Sequence, residues 1–317
     1  MRQTLLRIVA ASLALGVSLA AVVQPTFDSS RAFDYLRQIV AFGPRPAGSP
    51  ALESTRRYLR DQLAGAGVTA VDQKFEATTP IGPVKMTNLI ATIPGASPTR
   101  IVIGGHYDTK LFPQFPFVGA NDAGSSTAFL LEMARVLKAR KNPLTMELVF
   151  LDGEEAVVEW GGTDRTYGSR YYVQAARKNG ALKQVGAFIL VDMVGGRDLV
   201  LEREANSTPW LLDEMLQAAR RLKLDKAFGT QATPMEDDHQ PFLEAGIPSV
   251  DLIGFNHYGA FWHTRDDTLD KVSARSLQMV GDIVLDALPR IEARLMKGKT
   301  PPASAKRAAT AKPQKTG

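Results

Sequence analysis

The stretch Met146-Glu147-Leu148-Val149-Phe150-Leu151-Asp152-Gly153-Glu154-Glu155 decides the fold class of this chain. Its first six residues are mostly apolar, which predicts a buried strand, and a cluster of acids begins where that strand ends. Four similar short runs predict further strands, namely residues 88–93, 101–103, 188–191 and 250–253.

Helical patterns separate these strands, at Ser125–Lys138, Ser207–Leu222 and Ala274–Met296. Two more helices are predicted near the start of the chain, one capped by Ser29-Ser30 and one by Ser49. Strands that alternate with helices predict an α/β fold with a twisted, mostly parallel central sheet and helices on both faces. The length of 317 residues would also fit two domains, but no repeat or composition break marks a boundary, so we expect one domain.

The formal net charge of +5 is unevenly distributed along the chain. The first twenty residues carry +2 and the residues from Lys297 onward carry +6, which leaves −3 for the part between them. The folded body is therefore mildly acidic, and the high isoelectric point does not indicate nucleic-acid binding. Residues 298–317 are rich in Lys, Ala, Pro and Thr and predict a disordered basic tail.

The N-terminus predicts an export signal over residues 1–20. Arg2 and Arg7 precede an apolar run, and Ser18-Leu19-Ala20 offers small residues to a signal peptidase. The alternative is an uncleaved membrane anchor, but the run is interrupted and shorter than the ~20 apolar residues of a span. We expect a mature domain at 21–297 that is periplasmic or secreted and has no stable membrane insertion. The chain has no cysteine, so disulfides, thiolate ligands and lipid attachment are excluded.

Acids and histidines stand at the predicted strand ends. Ligands bind at the carboxyl ends of strands in such sheets, so one shared site is the economical interpretation. The residues concerned are His106 and Asp108, Asp152, Glu154 and Glu155, Asp192, and, in a loop beyond the last strand, Trp262 and His263.

Each motif also has a structural interpretation when it is considered alone. Asp122 could cap the helix at Ser125 rather than bind a metal. Asp108 could orient His106 or form an ordinary hydrogen-bonded pair with it. His239 follows acids before a short helix, so we expect it to form a structural pair with a neighbouring carboxylate. Asp266 and Asp267 are predicted to cap the segment that follows them.

Together these motifs resemble the zinc exopeptidase superfamily of the M28 aminopeptidase type, over roughly residues 33–295. The resemblance is closest to its glutaminyl-peptide cyclotransferase (glutaminyl cyclase) branch. A longer loop carrying Trp160 separates Glu155 from Gly168-Ser169, and Trp262 immediately precedes His263. The motifs that carry the resemblance are Gly105–Asp108, Gly119–Asp122, Asp152–Ala156, Tyr167–Arg170, Glu236–His239 with Pro241–Leu243, and Trp262–Thr264 with Asp266-Asp267.

The resemblance implies one Zn²⁺ bound by Asp122, Glu155 and His263, which are 33 and 108 residues apart in sequence. It also implies that Glu154 transfers protons while an N-terminal Gln of a peptide or protein cyclises to pyroglutamate and releases ammonia. Two further groups of residues take supporting roles in that reaction. Asp192 and Asp237, with Asp238 as the rival of Asp237, would complete a proton network, and Trp160 and Trp262 would line the substrate pocket.

Two other functions remain open from the sequence. A two-zinc aminopeptidase would add His106 and Asp192 as ligands, with Asp122 bridging the ions and Glu154 activating water. An exported binding protein without activity would not need a carboxylate such as Glu154 beside an intact ligand set.

Overall fold

The computed structural model describes residues 25–255 and 259–298. The predicted signal peptide and all of the predicted tail except Gly298, which caps the last helix, lie outside these residues. None of the helices in the described part combines the length and apolar composition that crossing a membrane requires.

A six-stranded sheet forms the centre of the structure, and a two-stranded parallel sheet accompanies it. The strands in chain order are β1 Ala70–Thr79, β2 Gly82–Ile93, β3 Ser97–His106, β4 Leu144–Leu151, β5 Val185–Asp192, β6 Leu201–Glu204, β7 Phe228–Thr233 and β8 Ser249–Ile253. The α-helices of the described residues are α1 Ser29–Ala41, α2 Pro50–Gly65, α3 Gly124–Ala139, α4 Tyr167–Lys178, α5 Pro209–Arg221, α6 Gln240–Glu244 and α7 Ala274–Lys297.

The large sheet has the strand order β1-β2-β4-β3-β5-β8. Strands β4, β3, β5 and β8 run parallel, whereas β1 and β2 form an antiparallel hairpin, with β2 also antiparallel to β4. The prediction of a single α/β domain with a mostly parallel sheet is confirmed for the four parallel strands, and the hairpin makes the whole sheet mixed.

Both faces of the parallel strands are buried, as a sheet covered by helices on both sides requires. Every residue of β4 is buried. Alternate side chains enter different cores, because successive residues of a strand point to opposite faces. Thus Ile101 and Ile103 pack in the larger core with α1, α3, α5 and α7, whereas Val102 packs in the smaller core with α4.

The cap of the second predicted helix is confirmed and that of the first is wrong. The Ser49 side chain accepts from the Leu52 amide at the start of α2. At α1, the Asp28 carboxylate accepts from the Ser30 and Arg31 amides, both at 3.1 Å, and Ser29-Ser30 begin the helix itself. A carboxylate satisfies two amide groups that no residue within the helix can pair.

Candidate metal centre and active site

The predicted site residues meet at the carboxyl end of the parallel strands. His106 is the last residue of β3 and Asp192 the last of β5, while Glu154 and Glu155 follow β4. The other two arrive from connections, Asp122 from just before α3 and His263 from the loop after β8. Parallel strands end at one edge, so residues distant in sequence become neighbours there.

Asp122, Glu155 and His263 form one group of possible metal ligands. The His263 Nε2 atom lies 3.0 Å from Glu155 Oε1 and 3.5 Å from Asp122 Oδ2. One ligand atom from each residue lies within 4.8 Å of the others. Two carboxylate oxygens and one imidazole nitrogen are a donor set that zinc accepts, with a fourth position left for water or substrate.

The charges in this group also favour a cation. Burial lowers the pKa of His263, but its hydrogen bonds to Asp122 and Glu155 outweigh that effect and raise the pKa to about 10. The carboxylates thus attract a proton to the imidazole when no other cation is near. A divalent ion bound there would displace that proton, as metal binding to histidine requires.

A second group shares Asp122 with the first. His106 Nε2 lies 3.1 Å from Asp192 Oδ1 and 3.2 Å from Asp122 Oδ1. The two Asp122 oxygens therefore face two different histidines. The described residues could hold one metal ion in the first group or one in each.

Glu154 is buried beside both groups. Its Oε2 atom lies 3.8 Å from His106 Nδ1. Burial raises the pKa of Glu154 well above its usual value, and the neighbouring carboxylates of Glu155 and Asp237 raise it further, against the effect of His106. A carboxyl group with a raised pKa can hold and release a proton near neutral pH.

The two aspartates before α6 have different surroundings. Asp238 accepts a hydrogen bond from the Ser169 hydroxyl at 2.5 Å, and burial raises its pKa to about 7. Burial also raises the pKa of Asp237, and Asp192 is the neighbouring charge that raises it most. Both aspartates therefore interact electrostatically with the acids at the strand ends, and Asp238 is in addition bound to Ser169.

Two further aspartates bind the main chain that carries the ligands. Asp108 accepts from the Glu154 and Glu155 amides at 3.2 and 3.3 Å, and it lies 3.6 Å from His106 Nδ1. At that distance Asp108 is close enough to His106 for charge attraction but not for a hydrogen bond, so the predicted hydrogen-bonded pair is wrong. Orientation of His106 by Asp108 stays a prediction. Asp267 accepts from the Asn121 and Asp122 amides, so its prediction as a cap is wrong. His239 lies between Glu204 and Asp251, at 3.3 and 3.7 Å, consistent with a structural pair.

Aromatic side chains surround His263. Trp262 stacks on its ring with centroids 4.0 Å apart, and Phe112 and Phe117 contact it edge-on at 5.4 and 5.7 Å. Trp160 is 38% exposed and donates its indole N–H to Glu236 at 3.4 Å. The two phenylalanines were not predicted, because the uncharged stretch 111–117 contains no residue that binds metal or moves protons.

Comparisons with known proteins agree with this geometry. Residues 88–288 match peptidase family M28. Over 253 residues the chain is 34% identical to the glutaminyl-peptide cyclotransferase-like protein of Bos taurus, covering 71% of this chain and just under two thirds, 66%, of that relative. It is 30% identical to the glutaminyl-peptide cyclotransferase of Boiga irregularis, covering 76% of this chain and 75% of that relative.

Among solved structures, the glutaminyl cyclase of an Acidobacteriales bacterium superimposes with a TM-score of 0.81. It shares 38% sequence identity, and the match covers 87% of this chain and 98% of that one. The match to family M28 over residues 88–288 contains all the site residues described above. The chain therefore belongs to peptidase family M28 and, within that family, to the glutaminyl-peptide cyclotransferases.

Proposed function

We propose that this chain is a zinc-dependent glutaminyl-peptide cyclotransferase that converts an N-terminal Gln of peptides or proteins into pyroglutamate and releases ammonia. One zinc ion would be held by Asp122, Glu155 and His263. The observation that carries the proposal is the three-donor group with Glu154 buried on the same strand-end turn as the ligand Glu155.

The chemistry divides between the metal and Glu154. A bound zinc ion supplies Lewis acidity toward the side-chain carbonyl of the substrate Gln. Glu154 takes a proton from the α-amine as that nitrogen bonds to the side-chain carbonyl carbon. It then delivers the proton to the amide nitrogen, whose bond to the same carbon breaks as ammonia leaves. The amine attacks within its own residue, so the site mainly holds a productive geometry.

Asp192 and Asp237 are proposed to complete the proton network with Glu154. Both are buried. The charge of Asp237 raises the pKa of Glu154, and the charge of Asp192 raises the pKa of Asp237. Asp238 is the weaker candidate because its carboxylate binds the Ser169 hydroxyl. Trp160 and Trp262 are proposed to line the pocket for the Gln side chain, and both keep more than a third of their surface exposed.

A two-zinc aminopeptidase is the second candidate function. It is favoured by the group of His106, Asp122 and Asp192, which could hold another ion. The loop between Glu155 and α4 supports the cyclotransferase instead. Asp164 fixes this loop by accepting from the Val157, Val158 and Glu159 amides, and the loop presents Trp160.

An assay with two substrates tests the proposal. Zinc-loaded protein is expected to release ammonia from a peptide with N-terminal Gln and to leave leucine anilide intact. In the proposed reaction the nucleophile is the substrate's own amine, whereas hydrolysis of the anilide by an aminopeptidase requires an activated water. Ammonia and free aniline are measured in parallel on one preparation. Protein inactivated by a chelator serves as the control, and hydrolysis of the anilide without cyclisation would favour the aminopeptidase.

Export is also proposed, with cleavage after Ala20. The full-length chain, expressed in a bacterial host, is expected in the periplasm or the medium as a protein beginning near Ala21, because small residues stand at Ser18 and Ala20. Intact-mass spectrometry of each fraction reads the start of the chain. Protein that keeps Met1 and stays in the cytoplasm would contradict the proposal.

A further inference from the structure

Arg45 is a buried cation beneath the turn that carries Asp122. Its side chain is 0% exposed, and its guanidinium donates to the main-chain carbonyls of Gly43, Val118 and Gly119 at 3.0, 2.8 and 3.2 Å. Within residues 25–255 and 259–298, no carboxylate lies within 4.0 Å of it. Burying a charge without a direct ion pair is costly, so the fold must compensate Arg45 in another way.

Asp267 contacts the same turn from its amide side. This carboxylate is also 0% exposed and accepts from the Asn121 and Asp122 amides at 2.8 and 3.1 Å. The turn 118–122 therefore has its first carbonyls bound to a cation and its last amides bound to an anion. Each contact is a charge-assisted hydrogen bond, which is about twice as strong as a neutral one.

The two charges also interact through the turn. Burial lowers the pKa of Arg45 to about 10, which leaves it charged at neutral pH, and Asp267 is the largest influence in the opposite direction. The turn also requires glycine at position 119, since the φ of Gly119 is +51° and a Cβ there would lie 1.9 Å from the Asp122 carbonyl oxygen. The Gly119 carbonyl bound by Arg45 also accepts from the Gly124 amide, the first residue of α3.

We propose that Arg45 and Asp267 are paired positioning residues, opposite charges bound to the two ends of the 118–122 main chain, which hold Asp122 in the orientation that binds zinc. The inference rests on the proposed function only in taking Asp122 as a zinc ligand.

A double-mutant cycle tests the pair. Zinc affinity is measured by chelator competition for the parent, Arg45→Met, Asp267→Asn and the double variant. Each single change is expected to weaken zinc binding about 10–100-fold, as changes to groups that hold metal ligands do. The double variant is expected to bind no more than about threefold more weakly than the weaker single, because both residues hold the same turn and either loss already frees it.

The ion pair of Arg140 with Glu292 offers a matched control. Its atoms are 2.6 Å apart, and Arg140 lies at the far end of α3 from Asp122, about 24 Å away for a helix of this length. Arg140→Met is expected to lower the thermal midpoint of the metal-free protein and to leave zinc affinity unchanged. Arg45→Lys keeps the charge but not the planar fork, so we expect an intermediate affinity, and this variant carries the test if Arg45→Met does not fold.

Two results would overturn the inference. One is parental zinc affinity in Arg45→Met with only a lower thermal midpoint, as in the control. The other is a double variant whose loss equals the product of the two single losses. Asp122→Asn separates this failure from that of the proposed function, because parental zinc affinity in that variant would remove Asp122 from the ligand set whatever Arg45 does.

Discussion

Glu154→Gln is expected to lower the turnover of an N-terminal Gln peptide by about 10²–10⁴-fold while zinc stays bound. The substitution keeps the shape of the side chain and removes the charge that accepts a proton, and general acid–base assistance is worth about that factor. Turnover is read as ammonia released per enzyme, and zinc content by elemental analysis of the same sample.

Glu155→Gln is the matched variant on the neighbouring residue. Glu155 Oε1 lies 3.0 Å from His263 Nε2, within the proposed ligand group, so loss of its charge is expected to lower zinc content together with activity. The two variants therefore give different results although the residues are adjacent. Parental activity in Glu154→Gln, or zinc loss in Glu154→Gln with zinc retained in Glu155→Gln, would show that the assigned roles are wrong.

His263→Ala is expected to lose both zinc and activity. The imidazole is the only nitrogen donor of the proposed ligand set, and its removal leaves two carboxylates that hold zinc poorly. Equilibrium dialysis against zinc gives the ion count for the variant and the parent, which is expected to bind about one zinc per chain.

His106→Ala is the control that distinguishes one ion from two. His106 belongs to the second group, so a one-zinc enzyme keeps its metal in this variant, whereas a two-zinc enzyme loses one ion. Tight zinc in His263→Ala would remove that residue from the site. Two ions per chain at full activity of the parent would favour the aminopeptidase.

Much of the fold and the site could be predicted because both depend on short apolar strands. An almost unbroken apolar run predicts that β4 is buried on both faces, and the acids that follow it show where the strand ends. Parallel strands place these ends at one edge of the sheet, so no further sequence signal is needed to predict that they lie together. Asp122, Glu155 and His263 converge as the resemblance to the cyclotransferases implies.

The elements that were not predicted have weaker patterns. Strand β1 lies at the sheet edge and eight of its ten residues are exposed or half-exposed, so polar residues such as Asp72, Gln73 and Lys74 occupy it and hide the apolar alternation. Helix α4 buries Tyr172, Val173 and Ala176 among several charged residues, which leaves only a narrow apolar stripe. Tertiary contacts decide both elements.

The residues that hold the ligands could not be identified from sequence for a different reason. Asp267 is 145 residues from the Asp122 amide that it binds, and nothing local distinguishes it from a cap. The role of Arg45 is equally hidden in the sequence, because its partners are main-chain carbonyls, which every residue possesses. Only the assembled turn shows what these two charges contact.

The separation of the proposed zinc ligands along the chain links zinc supply to the lifetime of the protein. Ligands 33 and 108 residues apart meet only in the folded state, so zinc would bind the native chain and not the unfolded one. Free zinc at a hundred times its dissociation constant would then stabilise the fold by about 2.7 kcal/mol. The chain has no cysteine and hence no disulfide to replace that contribution. Where zinc is scarce, proteases would therefore find the unfolded form about a hundred times more often.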